Sequence, residues 1–205
     1  IPYKSFERKE NLRRFLSQSK VRNNEGEPIV LYHTTSKDFN EFRPGGEDPS
    51  LSGPAIWLTP HNDRIQALHN VGGRKGEEFA QGTNVMPVYA NIKSPLVLDT
   101  PDMLDWARHV YAGGSKEFPQ LISQESKRAM IEDGYDGVFF AGFHGKSGET
   151  YPYGYKGIGI GEQPHKDEEI IAFYPNQIKS SIGNRGTFNP LHSDVTKTEG
   201  GRVDK

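Results

Sequence analysis

The chain has 205 residues, a formal net charge of −2 and no cysteine. That length suits one domain with a proper core, and the charge gives no general pull toward nucleic acid or acidic membranes. The missing cysteines exclude disulfides, thiolate catalysis and cysteine-ligated zinc. No apolar run approaches the roughly 20 residues that a membrane span requires. Ile1 stands first, with no Met and no signal-peptide apolar core behind it, so the expectation is a piece of a longer chain.

Taken in order, Ser5 to Ser19 reads as a short amphipathic helix with Leu12, Phe15 and Leu16 on one face. A turn over Asn23 to Pro28 launches the apolar run Ile29 to Tyr32, a buried strand with His33-Thr34-Thr35 at its end. Lys37 to Pro54 is loop-like, broken by Pro44, Gly45, Gly46, Pro49 and Gly53. A second strand follows at Ala55 to Thr59, and Asn62 or Asp63 caps a helix through Leu68. After a charged glycine-rich loop, Met86, Val88, Ala90 and Ile92 alternate as one buried strand face, and Pro87 within it predicts an edge position or a bulge.

Asp102 to Tyr111 and Ser123 to Asp133 read as helices, the second stopped by Gly134. Val138 to Phe140 is a strand, and Ala141 to Lys166 is a long loop of the kind that carries function. Glu169 to Phe173 and Gln177 to Ser180 are the last strands, and beyond Asn189 the polar tail is expected to fray. Short strands with few helices and no βα alternation predict an α+β domain. The expected division is a helical segment over 1–28 packing on the core, a domain over 29–190, and a flexible tail over 191–205.

Three stretches put a polar or aromatic residue at the edge of an apolar strand: Tyr32 to Thr35, Gly53 to Thr59, and Glu168 to Phe173. Singly each has an ordinary structural explanation, since a strand-end His is usually a hydrogen-bonded structural residue, a strand Trp core packing and a leading Glu solvated. Other motifs carry less. Gly157-Ile158-Gly159-Ile160-Gly161-Glu162 lacks the final glycine and the βαβ setting of a dinucleotide loop. His61 and His69 match no zinc-ligand spacing.

In this order the three stretches resemble the His–Tyr–Glu arrangement of diphtheria-toxin-like and poly-ADP-ribose-polymerase-like transferases. The chain resembles in particular the ADP-ribosyltransferase domain of polyvalent proteins in phages and mobile elements. The agreement includes Ser19-Lys20-Val21, Gly26, Pro28 and Ile29 to Thr35, the pair Phe39 and Phe42, and Val85 to Leu96. It continues through Gly134 to Val138, then Pro175, Gln177 to Ser180, Gly183, Asn184 and Gly186 to Phe188, and covers about Leu12 to Pro190.

The resemblance implies two packed, mostly antiparallel sheets with flanking helices, forming a cleft for NAD. It implies transfer of ADP-ribose from NAD, as substrate and without a metal, to a protein target that could belong to a host cell. Neither nucleic acid nor a membrane is expected as partner. Glu169 would take the place of the catalytic Glu, steadying the oxocarbenium character that develops on the ribose. His33 and Thr34 would hold NAD through the adenosine ribose and the nicotinamide amide, with Tyr32, Ser52 and Gly53 beside them, and Trp57 would stack on the nicotinamide. Asp167, two residues before Glu169, stands where relatives carry the residue that selects the target.

Thr34 replaces the family's Gly, and Trp57 its Tyr. Three readings therefore stay open: a mono-ADP-ribosyltransferase effector or toxin, an NAD glycohydrolase, and an altered relative serving as a binding module. By analogy the setting is a secreted virulence factor acting in a host cell, or the cytoplasm of a bacterium carrying a phage.

Overall fold

A computed structural model of the chain describes residues 5–23, 25–35, 39–44, 54–60, 84–114, 122–140, 169–184 and 188–196. Helix α1 (Ser5–Phe15) leads to strands β1 (Leu31–Thr35), β2 (Ile56–Leu58), β3 (Asn84–Ala90) and β4 (Pro95–Leu98). Helices α2 (Pro101–Tyr111) and α3 (Gln124–Glu132) follow, then β5 (Gly137–Phe140), β6 (Glu169–Ala172), a 3-10 turn (Pro175–Gln177) and β7 (Ile178–Ser180). The expected helix over Asn62 to Leu68 and the loop over Ala141 to Lys166 lie outside the described residues.

The strands form two sheets, one three-stranded in the order β1-β3-β7 and one four-stranded in the order β2-β6-β5-β4. Every pairing is antiparallel except β4 with β5. A parallel pair needs a crossover, and α2 and α3 supply it. The α+β architecture, with two mostly antiparallel sheets and flanking helices, is as expected.

Strand alternation explains the layering. Leu31, Val88, Ala90 and Ile178 from one sheet meet Ile56, Leu58, Ile170 and Ala172 from the other in a shared core. The opposite face of the four-stranded sheet, with Val138, Phe140 and Ile171, packs against Leu104, Ala107 and Tyr111 of α2 and Met130 of α3. Thr100 caps α2 by accepting from the Met103 amide, and Ser123 caps α3 by accepting from the Ser126 amide. Gly134, at φ 92, ends α3 in the left-handed region.

Several motif residues are architectural. The Asp136 carboxylate accepts from the amides of Lys93 (2.9 Å) and Ser94 (2.8 Å), fixing the chain between β3 and β4. The Gln177 side chain donates to the Asp136 carbonyl and accepts from the Tyr174 amide. Ser19 is buried and donates to the Ala90 carbonyl at 2.9 Å, which ties the chain after α1 to β3. Phe15 and Leu16 pack with Phe188, whose ring also meets Tyr89.

Two expectations differ from the structure. Pro87 lies in the central strand of its sheet, not at an edge. Its carbonyl turns toward the end of β7 and accepts from Ser181, while its register partner Tyr32 bonds away from β3, to Thr59. The missing N–H therefore removes no bond to β1. The tail does not fray at Asn189: residues 188–196 return along the core, Val195 is fully buried, and its carbonyl accepts from the Ser180 amide at 3.0 Å. The Lys179 side chain, 1% exposed, donates to the carbonyls of His192 and Asp194 and so holds this return.

Candidate functional site

The two sheets join at one corner. The Tyr32 amide donates to the Thr59 carbonyl at 2.8 Å, and the Thr59 amide donates back to the Tyr32 carbonyl at 3.0 Å. This bridge ties the edge strand β1 of one sheet to the end of β2, the edge strand of the other. Strand β2 pairs with β6 through Ile56 with Ala172, Trp57 with Ile171 and Leu58 with Ile170. Continuing that register sets Thr59 opposite Glu169, so backbone pairing brings the three motif stretches together.

His33 lies one residue past the bridge. Its Nδ1 is 2.9 Å from the Trp57 carbonyl oxygen, a contact that requires Nδ1 to carry the proton and donate. The ring meets Phe42 edge-on at 4.9 Å and Phe39 at 6.1 Å, and the two phenylalanines contact each other at 4.9 Å. Burial in this apolar surround lowers the imidazole's pKa below its ordinary value, partly offset by the bond to Trp57. The ring is therefore neutral at pH 7 and keeps an acceptor lone pair on Nε2.

Trp57 is half-buried, and its side chain packs on the helix-side core. Glu169, also half-buried, opens β6. Residues facing each other across an antiparallel pair share a side, as do residues two apart. Trp57, Ile171 and Glu169 accordingly project from the same face. His33 alternates with Tyr32 and lies with Leu31 on the inter-sheet side. The corner thus presents its candidate groups on two sides of one edge, with the ends of β1, β2 and β6 between them.

Tyr32 and Thr34 sit in β1 opposite Pro87 and Val85. Ser52, Gly53 and Asp167 lie outside the described residues, as do His61, His69 and the glycine-rich segment over 157–161. Among the described residues no group of His, Asp and Glu could hold a metal ion, and no helix is long and apolar enough to cross a membrane.

One residue at this site had no sequence signal. Lys127 on α3 donates from Nζ to the Pro54 carbonyl and to the Phe173 carbonyl, each at 2.7 Å. The ammonium also lies 5.7 Å from the Phe173 and Tyr174 ring centres. It pins the start of β2 to the end of β6, opposite the Glu169 end. A lone lysine in an amphipathic helix reads as a solvated charge, and only the tertiary fold gives it these partners.

No curated protein and no solved structure matches the chain. The family model described as ADP-ribosyltransferase in polyvalent proteins matches residues 23–188, from the turn before β1 to the buried Phe188. That span takes in the bridged corner, both sheets and both crossover helices, and the chain belongs to this family of ADP-ribosyltransferases.

Proposed function

We propose that the chain is a mono-ADP-ribosyltransferase that moves ADP-ribose from NAD to a side chain of a target protein, using the corner of β1, β2 and β6. The observation that carries this reading is the register that sets Trp57 and Glu169 on one face beside the Tyr32–Thr59 bridge. The groups suit NAD. A half-buried indole offers a face to a flat cation, and a carboxylate two positions away along the partner strand can meet ribose hydroxyls. A neutral His33, with Nε2 as acceptor, can take a hydrogen bond from a sugar hydroxyl. An extended dinucleotide crossing this edge reaches both of its sides.

Bound NAD supplies a nicotinamide–ribose bond activated by the cationic pyridinium, which departs as neutral nicotinamide. Glu169 would orient the ribose and stabilise positive charge as it develops, an interaction stronger in the transition state than in the ground state. Tyr32, Thr34, Ser52 and Gly53 would line the approach, and Asp167 would face the acceptor and influence its choice. No metal takes part in this reading. The setting we favour is delivery as an effector or toxin into a host cell.

Calorimetry of NAD on the purified chain, with Glu169→Gln and Trp57→Ala beside it, tests the reading together with transfer of labelled ADP-ribose. Binding weakened by Trp57→Ala, with transfer lost in Glu169→Gln, supports it. Release of free ADP-ribose without protein labelling would make the chain an NAD glycohydrolase, and no binding at millimolar NAD would make the corner a repurposed scaffold.

A further inference from the structure

Pro87 takes no bond from β1, but it withholds one from the chain at the end of β7. Val88 pairs with Ser180, so the register sets Pro87 opposite Ser181. Such a pair in an antiparallel ladder exchanges two bonds, each residue donating its amide to the other's carbonyl. One of them is present: the Ser181 amide donates to the Pro87 carbonyl at 2.9 Å, and the Ser181 hydroxyl joins it at 3.1 Å. The other requires an N–H on residue 87, which proline lacks. The Ser181 carbonyl accepts instead from the guanidinium of Arg8 on α1.

Arg8 is held in that position from two sides. Its guanidinium lies 5.4 Å from the centre of the Phe188 ring, which is 1% exposed and packs with Phe15 and Leu16. The chain after α1 is fixed further along β3, where the Ser19 hydroxyl donates to the Ala90 carbonyl at 2.9 Å and the Lys20 amide to the Ile92 carbonyl at 2.7 Å. From Arg8 to Phe15 the helix rises roughly 10 Å, and β3 covers roughly the same distance from Pro87 to Ala90. Helix α1 therefore braces β3 from Ala90 back to Pro87, and Arg8 stands where the ladder bond is missing.

This is also the level of the bridged corner. Pro87 is the register partner of Tyr32, and Tyr32 exchanges both of its backbone bonds with Thr59. Ser181, Pro87, Tyr32 and Thr59 thus form one row across both sheets, which the register of β2 extends to Glu169. Pro87 and Tyr32 turn their backbone groups away from each other, so the row is bonded at its two ends and not in its middle. A donor to Ser181 counts for more in such a row than in a complete ladder.

We infer that Arg8 is a positioning residue for the corner, replacing the bond that Pro87 withholds and so fixing the row in which Tyr32 bridges to Thr59 beside Trp57 and Glu169. Its consequence for binding rests on the reading of that corner as the NAD site, whereas the holding of the row does not.

Native-state hydrogen exchange and NAD calorimetry on the full chain test this. Arg8→Met keeps the apolar stem and Arg8→Lys keeps a donor. Arg13→Met, at an exposed position of the same helix paired with Glu10, is the control. In Arg8→Met the Ser181 amide should exchange about tenfold faster, the loss expected for one hydrogen bond from a charged donor, and the Tyr32 and Thr59 amides should follow. The Asn91 amide, which donates to the Gln177 carbonyl in the same pair of chains, should stay as in the wild type. NAD affinity should fall severalfold in Arg8→Met, recover in Arg8→Lys and stay unchanged in Arg13→Met. Equal acceleration at Asn91 would make Arg8 a general stabiliser and overturn the inference. An unchanged Thr59 amide, or an unchanged NAD affinity in Arg8→Met, would overturn it as well. A wild-type chain that binds no NAD would overturn the reading of the corner instead, and the exchange comparison would still decide whether Arg8 holds the row.

Discussion

The imidazole of His33 is tied to the main chain of Trp57, not to its indole, by the 2.9 Å contact from Nδ1 to the carbonyl oxygen. One bond therefore sets both the tautomer of the histidine and the spacing between β1 and β2. Because burial lowers the imidazole's pKa below 6.5, the unfolded chain binds more protons at this site than the folded one as pH falls. The stability contributed by neutral His33 is complete above pH 6.5 and is lost as pH drops through the folded value. Nitrogen-15 NMR of the imidazole should find the proton on Nδ1 and a midpoint below 6.5. A proton on Nε2, or a midpoint above 6.5, would contradict the geometry.

Lys127 couples the two strands that carry Trp57 and Glu169. Its ammonium is partly desolvated, which lowers its pKa, yet two carbonyls and two aromatic rings surround it. Lys127→Met keeps the apolar stem and leaves the Pro54 and Phe173 carbonyls without this donor. Relief of desolvation offsets part of the loss, and a net destabilisation of about 2 kcal/mol is expected. Hydrogen exchange should locate the change, with amides of β2 and β6 losing protection before those of β3. Uniform loss of protection across both sheets would remove the special coupling assigned to Lys127.

Gly137 and Gly134 separate two reasons for glycine within the same motif. A Cβ on Gly137 would stand 2.6 Å from the Ile171 carbonyl oxygen and 2.9 Å from Ile92 Cγ2, so strand β5 could not keep its place. At Gly134 a Cβ meets open space, but φ is 92. Gly137→Ala should cost about 3 kcal/mol through overpacking against backbone, and Gly134→Ala about 1 kcal/mol through backbone conformation alone. Denaturant midpoints of the two variants decide this, and equal losses would refute the steric account.

What could be read from the sequence follows from how local each signal is. The alternation of Met86, Val88, Ala90 and Ile92 marked β3, and Ser123 with Gly134 bounded α3, because both patterns are complete within a few residues. The corner was legible only as an ordered set of three stretches, since His33, Trp57 and Glu169 are ordinary one by one and meet through backbone pairing. Pro87 misled because the direction of its missing N–H depends on register, which the sequence of one strand does not contain. The return over 188–196 was missed because it is held mainly through main-chain carbonyls, with Val195 its buried apolar anchor, so a polar composition conceals it.

That return makes Lys179 the most informative position for pH dependence. Its ammonium is enclosed with the carbonyls of His192 and Asp194, and burial pushes its pKa from 10.5 down to about 8, with Asp194 opposing the shift. Between those two values the unfolded chain holds a proton that the folded chain has released, so stability rises as pH increases from about 8 toward 10.5. Below that window both states are protonated and the burial cost is present in full. Tyr111 acts in the opposite sense at higher pH. Burial and its bond to Asp133 raise the phenol's pKa, so the folded chain keeps a proton that the unfolded one gives up above about 10. The wild-type chain should therefore gain stability from pH 8 to 10 and lose it beyond. Lys179→Met should be less stable at pH 7 by about 1–3 kcal/mol, since two carbonyls lose their donor, and should show a smaller gain across the window, the remainder coming from Lys127, whose pKa burial also lowers. Denaturation midpoints at pH 7.5, 8.5 and 9.5 measure both effects, and an undiminished gain in Lys179→Met would assign it to another group.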